Sequence, residues 1–447
     1  MRFAGRIVPA AVEFTGMVLV VAGLARVVTI LLYQGYLPAP FVFDSGDTFM
    51  DWFNTAYWAH NPGAYSVWRT VYLPLSFVIT GLAGNPACYK NTPFDARDCD
   101  VIGIAVIILT YAACCVVAAL AFRKADRATA IPRTVAMAIG GPMLFALERG
   151  NLIMLAFIPF VLAYGKLLRS RAGFAAASAF LANMKIYLVL PFFALMVRRE
   201  WRLFEICCLA SVGLYVVTLL IVGGGTPLEF ISNLQNWFGV RQGVFWDELI
   251  YTTTYSPFLQ FDVSQFPVRD FIEARVVDAA KLFIQTELVA SRGVALLCVA
   301  LAWFYPRAIA TNRLVFFILM QSFIAQNPGG YAITLIVFLV FMEKWKNFGT
   351  GLAVICAYLI SIPGDMAVTT LFELERQSWL TGRMVNLAYV LPLGSFIRPG
   401  LILIILWSLA IDTLIDVHRA VKAGPPILGL VPRFRRTEGQ AAGGALR

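Results

Sequence analysis

Charged side chains are scarce in this chain of 447 residues, because Asp, Glu, Lys and Arg together make up only 14% of it. An average soluble domain has about 25%. Histidine occurs twice, so a zinc site built from histidines cannot be assembled, and we expect neither a metal nor another cofactor. The chain also lacks a glycine-rich phosphate loop, a dinucleotide motif and a Ser/His/Asp series. Nothing in the sequence therefore predicts a nucleotide-dependent enzyme or a serine hydrolase.

Apolar residues take the place of the missing charge. They make up 60% of the chain, and the mean hydropathy is +0.75. Many of them stand in runs of about twenty residues, which is the length of one bilayer crossing. We therefore predict an all-α polytopic membrane protein. The net charge of +10 does not indicate nucleic-acid binding, since Lys and Arg gather in short loops and near the C-terminus, where they set membrane topology.

The basic loops orient the predicted spans. Placing each of them in the cytoplasm predicts about ten full spans and one re-entrant pair, with both termini cytoplasmic. The whole chain then forms one bundle of about 10–12 transmembrane helices. Outside the membrane lie three long segments, and inside lies a basic tail at 417–447. The outer segments are residues 34–100, 223–292 and 363–397.

Residues 172–197 predict the re-entrant pair, because basic loops flank this apolar stretch at both ends. Twenty-six residues are too short to cross a bilayer twice as full helices. Two half-height helices that turn near Asn183 and Lys185 satisfy both the length and the charges. Lys185 would then lie at depth, where it fits an anionic head group. Pairing with a buried carboxylate is the alternative.

Three carboxylates, Asp44, Asp47 and Asp51, lie within eight residues at the outer end of the first predicted span. Holding ionised acids so close to hydrocarbon costs free energy, and such residues are usually retained for function. The three acids therefore form a candidate functional site. A helix over about residues 48–60 would place Asp47 and Asp51 on one face. Repulsion and partial burial would then raise the pKa of one of them, as a general base requires. Alternatively, all three are solvated loop residues or helix caps.

Other polar residues are expected on the same outer side. The turn containing Glu148, Arg149 and Asn151 either joins this site or is a plain interhelical turn with its own ion pair. Three arginines are weaker candidates for phosphate binding, since Arg near span ends often only reaches toward the interface. They are Arg69, Arg383 and Arg398. Cys88 and Cys99 lie in the first outer segment and can form a disulfide if that side is oxidising.

Several short motifs, taken in order, resemble a family. They are Asp47 with the turn at 60–65, the turn at 148–152, the Asn-Met-Lys-Ile-Tyr-Leu stretch at 183–188 with Arg-Arg-Glu-Trp at 198–201, and the Asn-Pro-Gly-Gly-Tyr turn at 327–331. In these the chain resembles the GT-C superfamily of membrane glycosyltransferases, and most closely glycosyltransferase family 87. That family contains bacterial mannosyltransferases that use polyprenol-phosphate mannose. The proline that follows the Lys/Tyr pair in the family is displaced here to Pro191.

The resemblance implies a GT-C bundle in the bacterial cytoplasmic membrane, with juxtamembrane helices and an active site on the periplasmic face. It implies an inverting hexosyltransferase without a required metal. The enzyme would move a sugar, with mannose expected, from a polyprenyl-phosphate donor to a lipid-linked or cell-envelope glycan. Asp47 would be the general base, with Asp44 as the alternative and residues 223–292 as the acceptor surface. The candidate substrate-binding residues are Asp51, His60, Tyr65, Arg69, Glu148, Arg149, Asn151, Asn183, Lys185, Tyr187, Asn327, Tyr331, Arg383 and Arg398.

Two other classes of protein also fit a polytopic chain with polar outer loops. A transporter or lipid flippase would show inverted repeats and charges near the membrane midplane, whereas here the polar residues gather on one side and no repeat is visible. An oligosaccharide polymerase or ligase would use its arginines and histidines, and not the acids of the first outer segment. Sugar transfer by variants of the acids distinguishes these classes.

Overall fold

Helices dominate the computed structural model, which describes residues 4–41, 45–240, 252–260, 272–325 and 328–423. Asp44, Asn327, parts of 223–292 and the end of the basic tail lie outside these described residues. The helices are α1 (Ala4–Gln34), α2 (Met50–His60), α3 (Pro74–Leu82), α4 (Pro93–Cys99), α5 (Val101–Ala125), α6 (Ala130–Ala138), α7 (Gly141–Glu148), α8 (Ile153–Tyr164), α9 (Arg171–Ala182), α10 (Phe192–Val197), α11 (Trp201–Val222), α12 (Pro227–Val240), α13 (Ala274–Phe304), α14 (Thr311–Ala325), α15 (Ile333–Phe341), α16 (Phe348–Ser361) and α17 (Gly394–Ala423).

Six helical segments in the described part of the chain are long and apolar enough to cross a membrane. They lie at Pro9–Gln34, Val101–Ala125, Ala130–Glu148, Trp201–Val222, Ala274–Phe304 and Gly394–Lys422. Further apolar helices of 10–17 residues lie between them. The prediction of a mostly helical membrane protein is therefore confirmed. The number of about ten full spans stays a prediction, because several predicted crossings are helices shorter than one bilayer.

The predicted break within residues 172–197 coincides with the end of a helix. α9 ends at Ala182, and a 3-10 turn at Ile186–Val189 leads into the short α10. The buried Asn183 side chain caps this end, donating from Nδ2 to the carbonyl oxygens of Ala179 at 2.9 Å and Ser211 at 3.0 Å. Asn183 thus turns the chain and holds it against α11, which leaves Lys185 at the tip.

A helical hairpin formed by α14 and α15 lies at the centre of the bundle. All nine residues of α15 are buried, and so are most of those in α14, including Phe316, Phe317 and Phe323. Apolar composition on every face is expected for helices enclosed on all sides. The two helices therefore form much of the core of the bundle.

A buried ion pair links three other helices near one end of the bundle. Arg133 of α6 donates to both carboxylate oxygens of Glu13 in α1, at 2.6 and 2.7 Å, and both side chains are almost fully buried. The Tyr358 hydroxyl of α16 donates to the same carboxylate at 3.1 Å. Arg133 also donates to the carbonyl oxygens of Phe341 and Glu343 at the end of α15. The buried side chains of Arg133, Glu13 and Tyr358 are thus all hydrogen-bonded to one another.

A β-hairpin, which the sequence does not predict, stands in the third outer segment. Strand β1 (Ala367–Gln377) pairs antiparallel with β2 (Met384–Pro392). Nearly every residue of β1 is exposed, so no alternation of apolar and polar residues marks it. The hairpin turn contacts the stretch at 34–100, because the Trp379 backbone N–H donates to Ser45 O at 3.1 Å and its indole donates to Asp98 at 2.8 Å.

Candidate functional site

The start of α2 lies directly against the turn that follows α7. The backbone N–H of Phe49 donates to the Glu148 carbonyl oxygen at 2.7 Å, and that of Asp51 donates to the Arg149 carbonyl oxygen at 3.0 Å. Gly150 permits this approach, since its φ is +59° and an added Cβ would lie 3.1 Å from both the Cα and the carbonyl oxygen of Phe49. The two acidic motifs of the sequence therefore form one structural unit.

Arg149 bridges two of the three acids. One guanidinium nitrogen contacts Asp47 Oδ2, and the other donates to Asp51 Oδ1 at 2.8 Å. The sequence predicts Arg149 beside a substrate phosphate, but the structure places its guanidinium on these two carboxylates. The Asp47 side chain is 27% exposed and that of Asp51 is 18% exposed. Asp47 is therefore the more accessible of the two acids.

Asp51 is held in its ionised form. Burial alone would raise the pKa of its carboxyl, but the charge and hydrogen bond of Arg149, with a hydrogen bond from Asn151, hold the pKa below its ordinary value. Asn151 donates from Nδ2 to Asp51 Oδ2 at 2.5 Å. The acid expected to have a raised pKa is not Asp51, because Arg149, Asn151 and Lys185 together outweigh the effect of burial on its carboxyl. At neutral pH this carboxylate is fully deprotonated.

The disulfide and α4 support the segment that carries Asp47. Cys88 and Cys99 are bonded, and Cys99 is the last residue of α4. From the same helix, the buried Arg97 donates to the carbonyl oxygens of Gly46 and Thr48, on either side of Asp47. Tying the end of α4 in place therefore fixes the backbone that presents Asp47.

An open cavity of about 360 Å³ lies beside this carboxylate pair. Its lining is mainly aromatic and cationic, and comprises Trp58, Trp68, Arg69, Thr70, Val71, Tyr72, Met184, Lys185, Ile186, Tyr187, Leu234, Pro328 and Tyr331. Asp51 interacts electrostatically with Lys185, and Tyr72 interacts electrostatically with Asp51. The cavity thus places a cation and several ring faces next to the acids. We name it the aromatic cavity.

Lys185 is the central cation of the aromatic cavity. Its ammonium lies 4.5 Å from the centroid of the Tyr331 ring and 5.5 Å from that of Tyr72. Among the residues that the structure describes, no carboxylate comes within ion-pair distance of this ammonium. The buried Tyr187 hydroxyl likewise has no hydrogen-bond partner within that part of the chain. Lys185 and Tyr187 can therefore both donate to an anionic ligand.

A second cavity, of about 300 Å³, lies behind one wall of the aromatic cavity. Its lining is mostly apolar and includes Phe145, Asp365 and Arg398. Arg398, a predicted phosphate ligand, donates to Asp365 at 2.9 Å in this second cavity and does not line the aromatic one. The Phe145 ring stacks on the Tyr331 ring with centroids 5.9 Å apart, so this pair separates the two spaces.

Four other predicted ligands lie away from the aromatic cavity. Tyr65 is buried between Phe77 and Phe230, and its hydroxyl donates to the Tyr72 carbonyl oxygen at 2.9 Å, which is a structural role. His60 stacks on Tyr89 at 4.4 Å, and burial lowers its pKa. Asn183 caps α9, as described above. Arg383 is exposed in the turn of the β-hairpin.

The remaining predicted residues belong to the acid cluster or to the cavity lining. Glu148 is buried and accepts a hydrogen bond from the Thr48 hydroxyl at 3.1 Å. Asn151 contacts Asp51 and also accepts from the N–H of Ile153, the first residue of α8, at 2.9 Å. Arg69, Lys185, Tyr187 and Tyr331 line the aromatic cavity. Asp44 and Asn327 lie outside the described residues.

Sequence reasoning missed the aromatic residues of the first outer segment, above all Tyr72, Trp58 and Trp68. The only signal was their density beside the acids, which an amphipathic juxtamembrane helix would also show. In the described part of the chain, no three His, Cys, Asp or Glu side chains come close enough to share a metal ion. The ligand groups that do converge are cationic and phenolic.

Comparisons with family models, with curated proteins and with solved structures found no match to this chain. The function of the site is therefore inferred from the positions and contacts of its residues.

Proposed function

We propose that this protein is an inverting glycosyltransferase at the outer face of a bacterial cytoplasmic membrane. It moves a sugar, with mannose expected, from a polyprenyl-phosphate donor to a lipid-linked or cell-envelope glycan. One observation carries the proposal: a lysine that pairs with no described carboxylate lies in an open aromatic cavity beside the two aspartates that Arg149 bridges. A phosphate needs the cation, and deprotonation of a hydroxyl needs the carboxylate.

The donor phosphate binds at Lys185 in this proposal. An ammonium between two phenol rings suits a phosphate because the rings hold the side chain in place without neutralising its charge. Arg69 of the same lining supplies a second positive charge. Trp58 and Trp68 offer flat apolar faces, against which the C–H groups of a sugar ring can pack. The polyprenyl chain of the bound donor extends through the open side of the cavity toward the membrane.

Asp47 is the proposed general base. Both oxygens of Asp51 already accept hydrogen bonds, from Arg149 and Asn151, and its side chain is the less exposed of the two. Asp47 takes the proton of the acceptor hydroxyl, whose oxygen then attacks the anomeric carbon. The bond from that carbon to the phosphate oxygen breaks, and polyprenyl phosphate leaves with the electron pair. Arg149 and Asp51 orient the base.

The base is tested by measuring sugar transfer from labelled polyprenyl-phosphate mannose in membranes that contain Asp47→Asn. Loss of a general base lowers kcat by about 10²- to 10⁴-fold. The matched control is Asp95→Asn, an exposed acid in the same outer segment. Full activity in both Asp47→Asn and Asp51→Asn, at normal protein levels, would overturn the mechanism.

The phosphate site is tested with Lys185→Met, which keeps the length of the side chain and removes its charge. A hydrogen bond to a charged group contributes about 1.5–3 kcal/mol, so the KM for the donor rises about 10- to 100-fold. Lys90→Met removes an exposed charge from the first outer segment and is the control. An unchanged KM in Lys185→Met would place the donor elsewhere.

A further inference from the structure

A third cavity, of about 480 Å³, lies at the end of the bundle away from the aromatic cavity. Five basic residues line it together with one acid, Glu343. The basic residues are Lys166, Arg198, Arg307, Lys344 and Lys346. We name it the basic cavity. The glycosyl-transfer mechanism makes no use of it.

The central hairpin fixes the distance between the basic cavity and the aromatic one. α14 begins at Thr311, which lines the basic cavity, and it ends at Ala325, shortly before Pro328 of the aromatic cavity. α15 returns from the aromatic cavity to Met342 in the lining of the basic one. A helix of fifteen residues is about 22 Å long, so the two cavities lie at opposite ends of the molecule.

The positive charge of the basic cavity is largely uncompensated. Glu343 is buried and pairs with Arg313 at 2.6 Å, so it is already neutralised. Arg198 lies 3.5 Å from Glu200. In the described part of the chain, neither Arg307 nor the exposed Lys344 and Lys346 pair with a carboxylate. The first residues of α14 line the same space, and a helix N-terminus adds partial positive charge.

Indole rings beside this cavity mark the depth of a membrane interface. Trp201 is 45% exposed, follows Arg198 by three residues, and contacts Trp303 edge to face with centroids 6.1 Å apart. The Arg199 guanidinium lies 5.2 Å from the centroid of the Trp303 ring. Tryptophan and arginine together at a helix end are typical of the head-group level of a bilayer. The basic cavity is therefore placed where lipid phosphates lie.

We propose that the basic cavity binds the phosphate of an anionic phospholipid head group, such as phosphatidylglycerol or cardiolipin. By the positive-inside rule this end faces the cytoplasm, so the lipid comes from the inner leaflet. A free phosphate offers the same chemistry, but the exposed tryptophan favours a ligand with an apolar part. This proposal is independent of the proposed glycosyl transfer, because the two cavities share no lining residue.

The experiment measures lipid retention by native mass spectrometry on the detergent-purified full chain. Protein is titrated with phosphatidylglycerol, with cardiolipin and with zwitterionic phosphatidylcholine. The test variant is Arg307→Gln/Lys344→Gln/Lys346→Gln, whose three side chains are exposed at the cavity mouth. Each interfacial cation changes lipid affinity about fivefold, so the variant binds the anionic lipids roughly a hundredfold more weakly. Binding of phosphatidylcholine stays weak and unchanged.

The control removes three exposed charges at the same end but outside the cavity, in Arg123→Gln/Arg127→Gln/Arg169→Gln. Wild-type affinity in this control supports a specific site. An equal loss in both variants would show that only the overall surface charge matters, and would overturn the proposal. A titration with inorganic pyrophosphate completes the experiment. If pyrophosphate displaces the anionic lipid at similar concentration, the ligand is a soluble phosphate and the lipid assignment is wrong.

Discussion

Replacing Arg149 by Met removes the cation that joins the two acids of the candidate site. Arg149, Asp47 and Asp51 are 17%, 27% and 18% exposed, so all three are largely shielded from water. Removing one partner of a buried ion pair costs about 3–5 kcal/mol, because the other charge stays buried without compensation. Partial exposure of the three side chains reduces this cost. We therefore expect Arg149→Met to lower the free energy of unfolding by about 2–3 kcal/mol at neutral pH.

The pH dependence of this loss tests its cause. In the wild type the pKa of Asp51 is below its ordinary value of 3.8, so its stabilising contribution is present above 3.8 and lost as the pH falls through the lower pKa. Without Arg149, burial raises the pKa of Asp51 above 3.8. The variant's penalty is then absent below 3.8 and grows as the pH rises through the raised pKa. The difference in stability between the two proteins therefore narrows as the pH falls.

The assay is thermal unfolding of detergent-purified protein in a pH series from about pH 7.5 down to about pH 4.5. We expect the Tm of Arg149→Met to be about 2–3 °C lower at the upper end and closer to the wild type at the lower end. Asp51→Asn/Arg149→Met should recover about 1–2 kcal/mol relative to additivity. A pH-independent difference together with strict additivity would refute the proposed bridge.

Three further changes test parts of the structure that support the site. Gly150→Ala forces a Cβ into a left-handed residue 3.1 Å from backbone atoms, and should lower stability by about 1–3 kcal/mol and reduce sugar transfer. Replacing Cys88 and Cys99 by Ser opens the loop that carries α4, and should cost about 2–4 kcal/mol in thermal unfolding. Arg133→Met leaves Glu13 buried without its partner, and should cost about 3–5 kcal/mol, measured as Tm or as folded yield.

The glycine and arginine changes each have a matched control. Gly213→Ala adds a Cβ with no atom within 4 Å and should not destabilise the protein. Arg123→Gln removes an exposed charge near the end of α5 and should change the free energy of unfolding by no more than about 0.5 kcal/mol. Equal effects of Gly150→Ala and Gly213→Ala would contradict the close approach of Gly150 to α2. A reduced wild type that unfolds like the oxidised protein would contradict a role for the disulfide.

Hydropathy predicted the helical membrane class because crossing length and apolar composition are local properties of the chain. It also located the break near Asn183, since the basic residues on both sides constrain the length of what lies between. Hydropathy could not distinguish a helix that faces lipid from one enclosed by protein, because both are apolar. α15 is wholly apolar and α14 mostly so, but both are shorter than a full span and lie buried inside the bundle. The β-hairpin was not predicted because both faces of its first strand are exposed, so its sequence shows no alternation of apolar and polar residues.

The candidate site was predictable in its parts but not in its connections. Asp47, Arg149 and Lys185 were identified from charge in an apolar setting. That Arg149 contacts both acids depends on hydrogen bonds from α2 to a turn about a hundred residues later, and no local pattern encodes that approach. For the same reason the sequence could not show that the pKa of Asp51 is lowered. Tyr72 was overlooked because an aromatic residue in an amphipathic outer segment is usual.

The stacked rings of Tyr331 and Phe145 form a partition that is one ring pair thick. Phe145 lines one cavity and Tyr331 lines the other, so a change in this ring pair affects both spaces. A small residue at either position would open a window between them. Anyone who redesigns the pocket around Lys185 for a bulkier ligand must therefore treat the apolar space near Arg398 as part of the same design.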